Sequence, residues 1–389
     1  MRRRTFLKLA AIAPTFLYIS CDKRPLDAKF EKATNTSFDY LEVSGSYYDI
    51  GYAIGKHCGK NIRAVMERRK KWLRHVREIE TGPGREFSQA MYDKMEKVFP
   101  NYLLELKGMA EGSKIDFRTL WTMSIKSELG AFEKENPGCS TIYYKNGDSN
   151  WLFHNEDGQD AYRGEMLVLK ATPPSDVTFV TLVYPGIIAG VGPSINQHGI
   201  IESTNYIGCK KPGSGIPRYF LGRAVLESES LDEAVKIATM EPRAHPWHHN
   251  LGSMKTGEYV SVETLPDGTV ATRRPEGIYL HTNHTTHPKT KDYKHQDLEY
   301  KNSSSISRYN VLSEKIEQSG GKVDKPGEIL GWLSSHQSKP YSPCRHPQGD
   351  INGRTLATAF FDFGRQSMKL YKGNPCEAVP NNAFEEYKF

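Results

Sequence analysis

Apolar positions follow two different spacings along the chain. From about Asp49 to Gly130 they recur every three to four residues, which predicts helices over 62–78, 87–98, 102–111 and 117–129, parted by breakers such as Thr81-Gly82-Pro83-Gly84. From Cys139 onward short β-rich runs dominate, at 166–171, 177–184, 199–205, 259–264, 269–273, 356–361 and 367–371. Helical stretches at 219–227, 231–240 and 305–316 interrupt them. Pattern alone supports a mixed α/β or α+β protein with a mostly antiparallel sheet.

The first of these strand-like runs opens on Gly138-Cys139-Ser140-Thr141. After a turn at Asn146-Gly147-Asp148 the chain returns to end in Asn155-Glu156-Asp157. The return strand therefore brings the Asp157 carboxylate back beside Cys139. A small residue before a nucleophile leaves its carbonyl open to attack, and scission after Gly138 would free the α-amine of Cys139. An α-amine has a reference pKa of about 7.7–8.0 against about 8.5 for a thiol, so one residue would supply both nucleophile and base. Asp157 would then hold the amine, and Asn155 would donate to a substrate oxygen. Against this stands the commoner use of cysteine as a small buried hydrophobe.

The stretch after about residue 40 resembles the acyl-coenzyme A:6-aminopenicillanic acid acyltransferase family of self-cleaving N-terminal-nucleophile (Ntn) hydrolases. Bile salt hydrolases and penicillin V acylases are more distant relatives. The resemblance rests on Gly45, Gly51 and Gly55 in a Gly-x-x-x-x-x-Gly-x-x-x-Gly opening, on the helix around Gly108 and Gly112, and on Gly138-Cys139. It continues through Asn196-Gln197-His198-Gly199 with the strand to Asn205, Gly215-Ile216-Pro217-Arg218, His281-Thr282-Asn283-His284 and Ser304-Ser305-Ile306-Ser307-Arg308-Tyr309. It implies an α+β fold, a four-layer αββα sandwich of two mostly antiparallel sheets preceded by a helical propeptide-derived segment. Residues 22–138 would form the mainly helical α chain and 139–389 the β chain with the catalytic core. Carried over by position, Cys139 is the nucleophile exposed behind Gly138, Asp157 the acid on its amine, Asn205 and Asn283 line the oxyanion region, and Arg308 stands near the nucleophile. His281 and His284 flank Asn283 and would touch substrate. Gly158 departs from the pattern, since many relatives carry an aromatic there. The implied activity is hydrolysis or acyl transfer on a linear amide through a thioester, without a cofactor.

The amino terminus reads as an address. Arg3-Arg4-Thr5-Phe6-Leu7-Lys8 resembles a twin-arginine export motif, and the apolar run to Ile19 is shorter than the roughly twenty residues of a membrane span. Tyr18-Ile19-Ser20-Cys21 ends the run as a lipoprotein box would, making Cys21 a candidate lipidation site and 1–21 an export signal. A periplasmic or cell-envelope enzyme follows, touching membrane only through such an anchor. An uncleaved hydrophobic anchor and a chance basic terminus are the rival readings.

Composition narrows the remaining classes. With 38% apolar and 25% charged residues and no second long hydrophobic run, one large globular domain is expected. The net charge of +6 draws on Arg2 to Arg4 and on Arg68-Arg69-Lys70-Lys71. The latter cluster shares its helix with an apolar stripe of Ile62, Val65, Trp72, Leu73 and Val76, so it reads as a solvated face rather than a nucleic-acid surface. His245, His248 and His249, with His281, His284 and His287, raise a metal-dependent hydrolase as the rival chemistry, but neither group sits in a helical His-Glu-x-x-His frame, and no metal is assigned. A non-catalytic binding protein on the same scaffold is the second rival. Among the remaining cysteines, Cys344 and Cys376 are candidate disulfide partners if the chain is exported.

Overall fold

The computed structural model describes residues 27–129, 138–293 and 304–389. The expectations for 1–21, Cys21 included, lie outside the described residues. β1 (Ala28–Glu31) and β2 (Asp39–Ser44) form a hairpin. Six helices follow: α1 (Tyr47–Arg68), α2 (Lys70–Thr81), α3 (Arg85–Val98), α4 (Pro100–Ser113), α5 (Phe117–Ser124) and α6 (Lys126–Leu129). Next come β3 (Gly138–Asn146), β4 (Ser149–Gln159), β5 (Leu167–Thr172), β6 (Phe179–Val183), β7 (Ser194–Asn196) and β8 (Ile200–Tyr206). After α7 (Arg218–Val225) and α8 (Leu231–Ala238) run β9 (Trp247–Ser253), β10 (Glu258–Thr264), β11 (Val270–Arg273) and β12 (Gly277–His281). The chain closes through α9 (Ser304–Gln318), α10 (Pro326–Leu333), β13 (Gly353–Asp362), β14 (Ser367–Lys372), α11 (Pro375–Ala378) and β15 (Phe384–Lys388).

The strands form two sheets, in the orders β1-β2-β5-β6-β7-β8-β9-β10-β11 and β12-β3-β4-β13-β14-β15. Every described pairing is antiparallel except β2 with β5. The sheets pack face to face: Tyr143 of β3 stacks on Tyr259 of β10 with ring centroids 4.2 Å apart, and Leu152 and Phe361 share one apolar core with Leu41, Val168 and Ile195. Ile50 and Ile54 of α1 and Leu106 of α4 join the same core on the larger sheet. Ile142, Phe153 and Phe360 carry a second cluster against Leu312 of α9 and Ile329, Leu330 and Leu333 of α10. The αββα layering is therefore present, and the helical first segment and the later strands bury their apolar faces together.

The glycines of the opening motif owe their place to close helix packing. A Cβ on Gly51 or Gly55 of α1 would lie 1.8 or 2.2 Å from the carbonyl oxygens of Glu105 and Met109, and one on Gly108 or Gly112 of α4 would lie 2.1 or 2.2 Å from those of Tyr48 and Tyr52. The two backbones touch, as only paired glycines allow.

One expectation needs correction. The helix expected over 62–78 breaks at Arg69, whose guanidinium folds over the Trp72 ring 3.5 Å from its centroid. Ahead of the helices, β2 enters the larger sheet parallel to β5, with alternating buried residues Asp39, Leu41 and Val43.

Candidate active site at the open end of the β3–β4 hairpin

A two-residue turn at Gly147-Asp148, with Gly147 at φ +56°, pairs Asn146 with Ser149. Counted outward, that register sets Cys139 against Glu156 and Gly138 against Asp157. Because side chains alternate across a strand, Cys139, Thr141, His154 and Glu156 point between the sheets, where Thr141 Oγ1 meets Asn205 and Tyr184 meets Glu156. Ser140, Asn155 and Asp157 point the other way, toward Arg308 of α9, the end of α10, and Thr355 of β13.

Every polar group of Cys139 is engaged. Its backbone N–H donates to Asn283 Oδ1 at 2.8 Å, and its carbonyl accepts from Arg308 Nη1. Its Sγ stands 4.0 Å from Glu156 Oε1, an oxygen that also accepts from the Tyr184 hydroxyl at 2.5 Å. Glu156 Oε2 lies 3.1 Å from His154 Nε2. Burial first, and then the carboxylates of Glu156 and Asp157, push the thiol well above its ordinary range. The sulfur is held as a thiol with a carboxylate in reach of its proton.

The neighbouring glycine is enclosed by charge. A Cβ on Gly138 would lie 2.6 Å from Arg345 Nη1, 3.0 Å from Asp157 Oδ2 and 3.1 Å from Arg308 Nη2. Asp157 Oδ1 accepts from Thr355 Oγ1 at 2.6 Å, while its buried Oδ2 has no hydrogen-bond partner among the described residues. Arg308 is fully buried, donates to Ser140 Oγ at 2.9 Å and Asn283 Oδ1 at 2.6 Å, and is pulled down to about 10 by that burial.

The two asparagines differ in what they offer. Asn283 turns its oxygen to Cys139 and Arg308 and spends its Nδ2 on the Tyr206 carbonyl at 2.8 Å, so it faces the nucleophile's nitrogen rather than presenting a free donor to an oxyanion. Asn205 accepts at Oδ1 from Thr141 at 3.0 Å and Asn250 at 2.8 Å, with His248 Nδ1 at 2.9 Å, and its buried Nδ2 has no partner among the described residues.

Three residues expected to touch substrate stand elsewhere. The Asn155 amide is consumed by the carbonyls of Leu333 and Pro343, both at 3.0 Å, and by Thr358 Oγ1 at 2.7 Å, on the face of β4 turned from the sulfur. His281 is fully buried, bonded through Nε2 to Glu263 and stacked on His248 with centroids 3.4 Å apart. His284 bonds Ser305 Oγ at 2.8 Å. Neither histidine lines the cleft at Cys139. Among the described residues, neither histidine group gathers three ligating atoms.

The sulfur opens on a narrow cleft of about 40 Å³ with mostly apolar and aromatic walls, including Tyr162, Tyr184, Ile187, Val191, Tyr206 and Trp247. Gly158 belongs to this wall, where a Cβ would meet Leu356 Cδ1 at 2.6 Å and Tyr184 at 3.2 Å, so Tyr184 fills the space that a larger residue would occupy. Arg218, at the start of α7, also lines the cleft. Its Nη2 bonds Ser127 and Tyr219, and its Nε and Nη1 are buried without a partner among the described residues.

Residues 144–377 match the model of the family described as acyl-coenzyme A:6-aminopenicillanic acid acyl-transferase. The chain belongs to that family. The beta-alanyl-dopamine/carcinine hydrolase of Drosophila melanogaster is 24% identical over 387 residues, covering 88% of this chain and 94% of that protein. Among solved structures, a Caenorhabditis elegans N-acylethanolamine-hydrolyzing acid amidase ortholog matches at 11% identity and a TM-score of 0.38, over 64% of this chain and 100% of that one. The family member described here is an enzyme of the amide hydrolase and acyltransferase class, acting on linear carbon–nitrogen bonds.

Sequence reasoning passed over Glu156, Tyr184, Arg218 and Arg345 as site residues. Glu156 was within reach: reading the turn as two residues rather than three shifts the register by one and puts Glu156 opposite Cys139. Tyr184 and Arg345 reach the site from distant segments, and no local pattern marks them.

Proposed function

We propose that this enzyme is a self-processing cysteine amidohydrolase in which Cys139 becomes a chain start and then the nucleophile. The observation that carries the reading is the enclosure of Cys139: an acceptor on its nitrogen, a cation on its carbonyl, a carboxylate at its sulfur, and a glycine before it with the Arg345, Asp157 and Arg308 side chains closed around it.

In the uncut chain the nitrogen of Cys139 is an amide and has no basicity, so another group must take the thiol proton. Glu156 is placed for this. The sulfur attacks the Gly138 carbonyl, the carbon–nitrogen bond breaks, and the proton passes to the departing nitrogen. Water then hydrolyses the Gly138 thioester, leaving a carboxylate on Gly138 and an α-amine on Cys139. Asn283 Oδ1 and Asp157 Oδ2, which has no hydrogen-bond partner among the described residues, hold that amine.

In turnover the α-amine takes the thiol proton, the sulfur attacks the substrate carbonyl, and the amine returns the proton to the leaving nitrogen. Asn205 Nδ2 is the side-chain donor left for the oxyanion, and losing such a donor costs on the order of 10²–10³ in rate. Water releases the acid. Hydrolysis is preferred to transfer because an exported enzyme meets little coenzyme A; export rests on Arg3-Arg4 and Cys21.

The aromatic cleft suits an acyl amide, and the two unpartnered donors of Arg218 suit a carboxylate or another strong acceptor on the substrate. The named activity of the Drosophila relative, hydrolysis of beta-alanyl-dopamine and carcinine, is consistent with a small N-acyl amide. Quenching the enzyme during turnover of a panel of N-acyl amides tests the proposal. The acyl mass should sit on the peptide that begins with Cys139; an acyl group found elsewhere, or turnover by Cys139→Ala at the wild-type rate, refutes it.

A further inference from the structure

A second cluster of chemically capable side chains lies apart from the cleft, where the loop after α10 meets the start of α11. His336, Cys344, His346 and Cys376 each turn one ligating atom inward, and the four atoms all lie within 4.8 Å of one another. The Nε2 atoms of the histidines are 3.2 Å apart, and His346 Nε2 is 3.5 Å from each sulfur. A tetrahedral centre with zinc–nitrogen bonds of about 2.0–2.1 Å and zinc–sulfur bonds of about 2.3 Å has nitrogen–nitrogen edges of about 3.3 Å and nitrogen–sulfur edges of about 3.5 Å. The spacing is that of a ligand shell. Both cysteines are free thiols, which sets aside the disulfide expected between them.

We propose that these four residues bind one structural zinc ion. Two thiolates and two imidazoles at tetrahedral spacing favour zinc over harder cations, and four protein ligands close the shell, which leaves no position for substrate. The surroundings are built as an outer shell would be. Asn374 Nδ2 lies 3.5 Å from Cys344 Sγ and donates to the Arg345 carbonyl at 2.6 Å. Zinc in this position ties the 334–352 loop to α11. That loop carries Arg345, whose guanidinium packs against Gly138, and the Asn155 amide pins it at its start through the Leu333 carbonyl and near its middle through that of Pro343. The metal thus fixes one wall of the Gly138–Cys139 peptide without touching the sulfur.

Metal analysis of the full chain, purified without a histidine tag or chelator, provides the test. One zinc per chain is expected, falling at least tenfold in His336→Gln, a surface change that leaves the core intact, and in Cys376→Ser. Cobalt exchanged into the wild type should give the visible bands of a tetrahedral site with thiolate-to-metal charge transfer, absent from both variants. A wild type that takes up neither zinc nor cobalt, a metal content unchanged in the variants, or a Cys344–Cys376 disulfide in non-reducing peptide maps would overturn the proposal. None of these outcomes depends on whether Cys139 is the nucleophile.

Discussion

Asn283 Oδ1 accepts a hydrogen bond from the backbone nitrogen of Cys139 at 2.8 Å, across 144 residues of sequence. The same oxygen accepts from Arg308, so one carboxamide orients both the nitrogen and the cation beside it. Asn283→Ala leaves two buried donors without an acceptor, at a cost of about 1–3 kcal/mol each. Activity is expected to fall on the order of a hundredfold or more, with kcat affected more than KM, because the amine rather than the cleft is disturbed. Steady-state kinetics checks this split; a change confined to KM contradicts the role.

Glu156 and Tyr184 separate the two chemical stages. Glu156→Gln removes the base available before scission, so self-cleavage should slow by about 10²–10⁴-fold. Tyr184→Phe removes the hydroxyl that holds Glu156 Oε1 and should produce a smaller lag in the same time course. Gel-resolved processing kinetics distinguishes them, and wild-type rates in Glu156→Gln would remove Glu156 from the mechanism.

The touching backbones of α1 and α4 predict a stability effect remote from the chemistry. In Gly55→Ala the new methyl lies 2.2 Å from the Met109 carbonyl oxygen, so the helices must part. A loss of about 1–3 kcal/mol or more is expected in denaturant melts, with residual folded enzyme retaining its kcat.

His284 gives the pH prediction. Burial first, with His281 and Arg308 adding repulsion, lowers it from 6.5 to about 4; Glu263 opposes the shift. The unfolded chain therefore binds the extra proton between those values. The contribution to stability is present above pH 6.5 and is lost as pH falls toward 4, by about 3 kcal/mol for that 2.5-unit difference. His284→Asn should flatten this part of the stability profile; an unchanged slope would contradict it.

Much of this architecture is legible in the residues. Periodicity separates the helical first third from the strand-rich remainder, and the Gly138-Cys139 pair with a returning Asp157 marks the hairpin on which the site is built. What pattern does not carry is register and distance. A one-residue difference in the turn moves Glu156 opposite the sulfur and turns Asn155 away from it. The His248 and His281 rings look like candidate ligands in sequence, yet they are stacked and hydrogen-bonded within the core. The His336, Cys344, His346 and Cys376 cluster spans forty residues and closes only when α11 returns to the loop after α10. Long-range closure of this kind leaves no periodic trace.

Intact-mass measurement of the purified wild type beside Cys139→Ala tests the central claim most directly. The account predicts two fragments in the wild type, the later one beginning at Cys139, and a single unbroken chain in the variant. A wild type that stays in one piece while hydrolysing amides at full rate would contradict it.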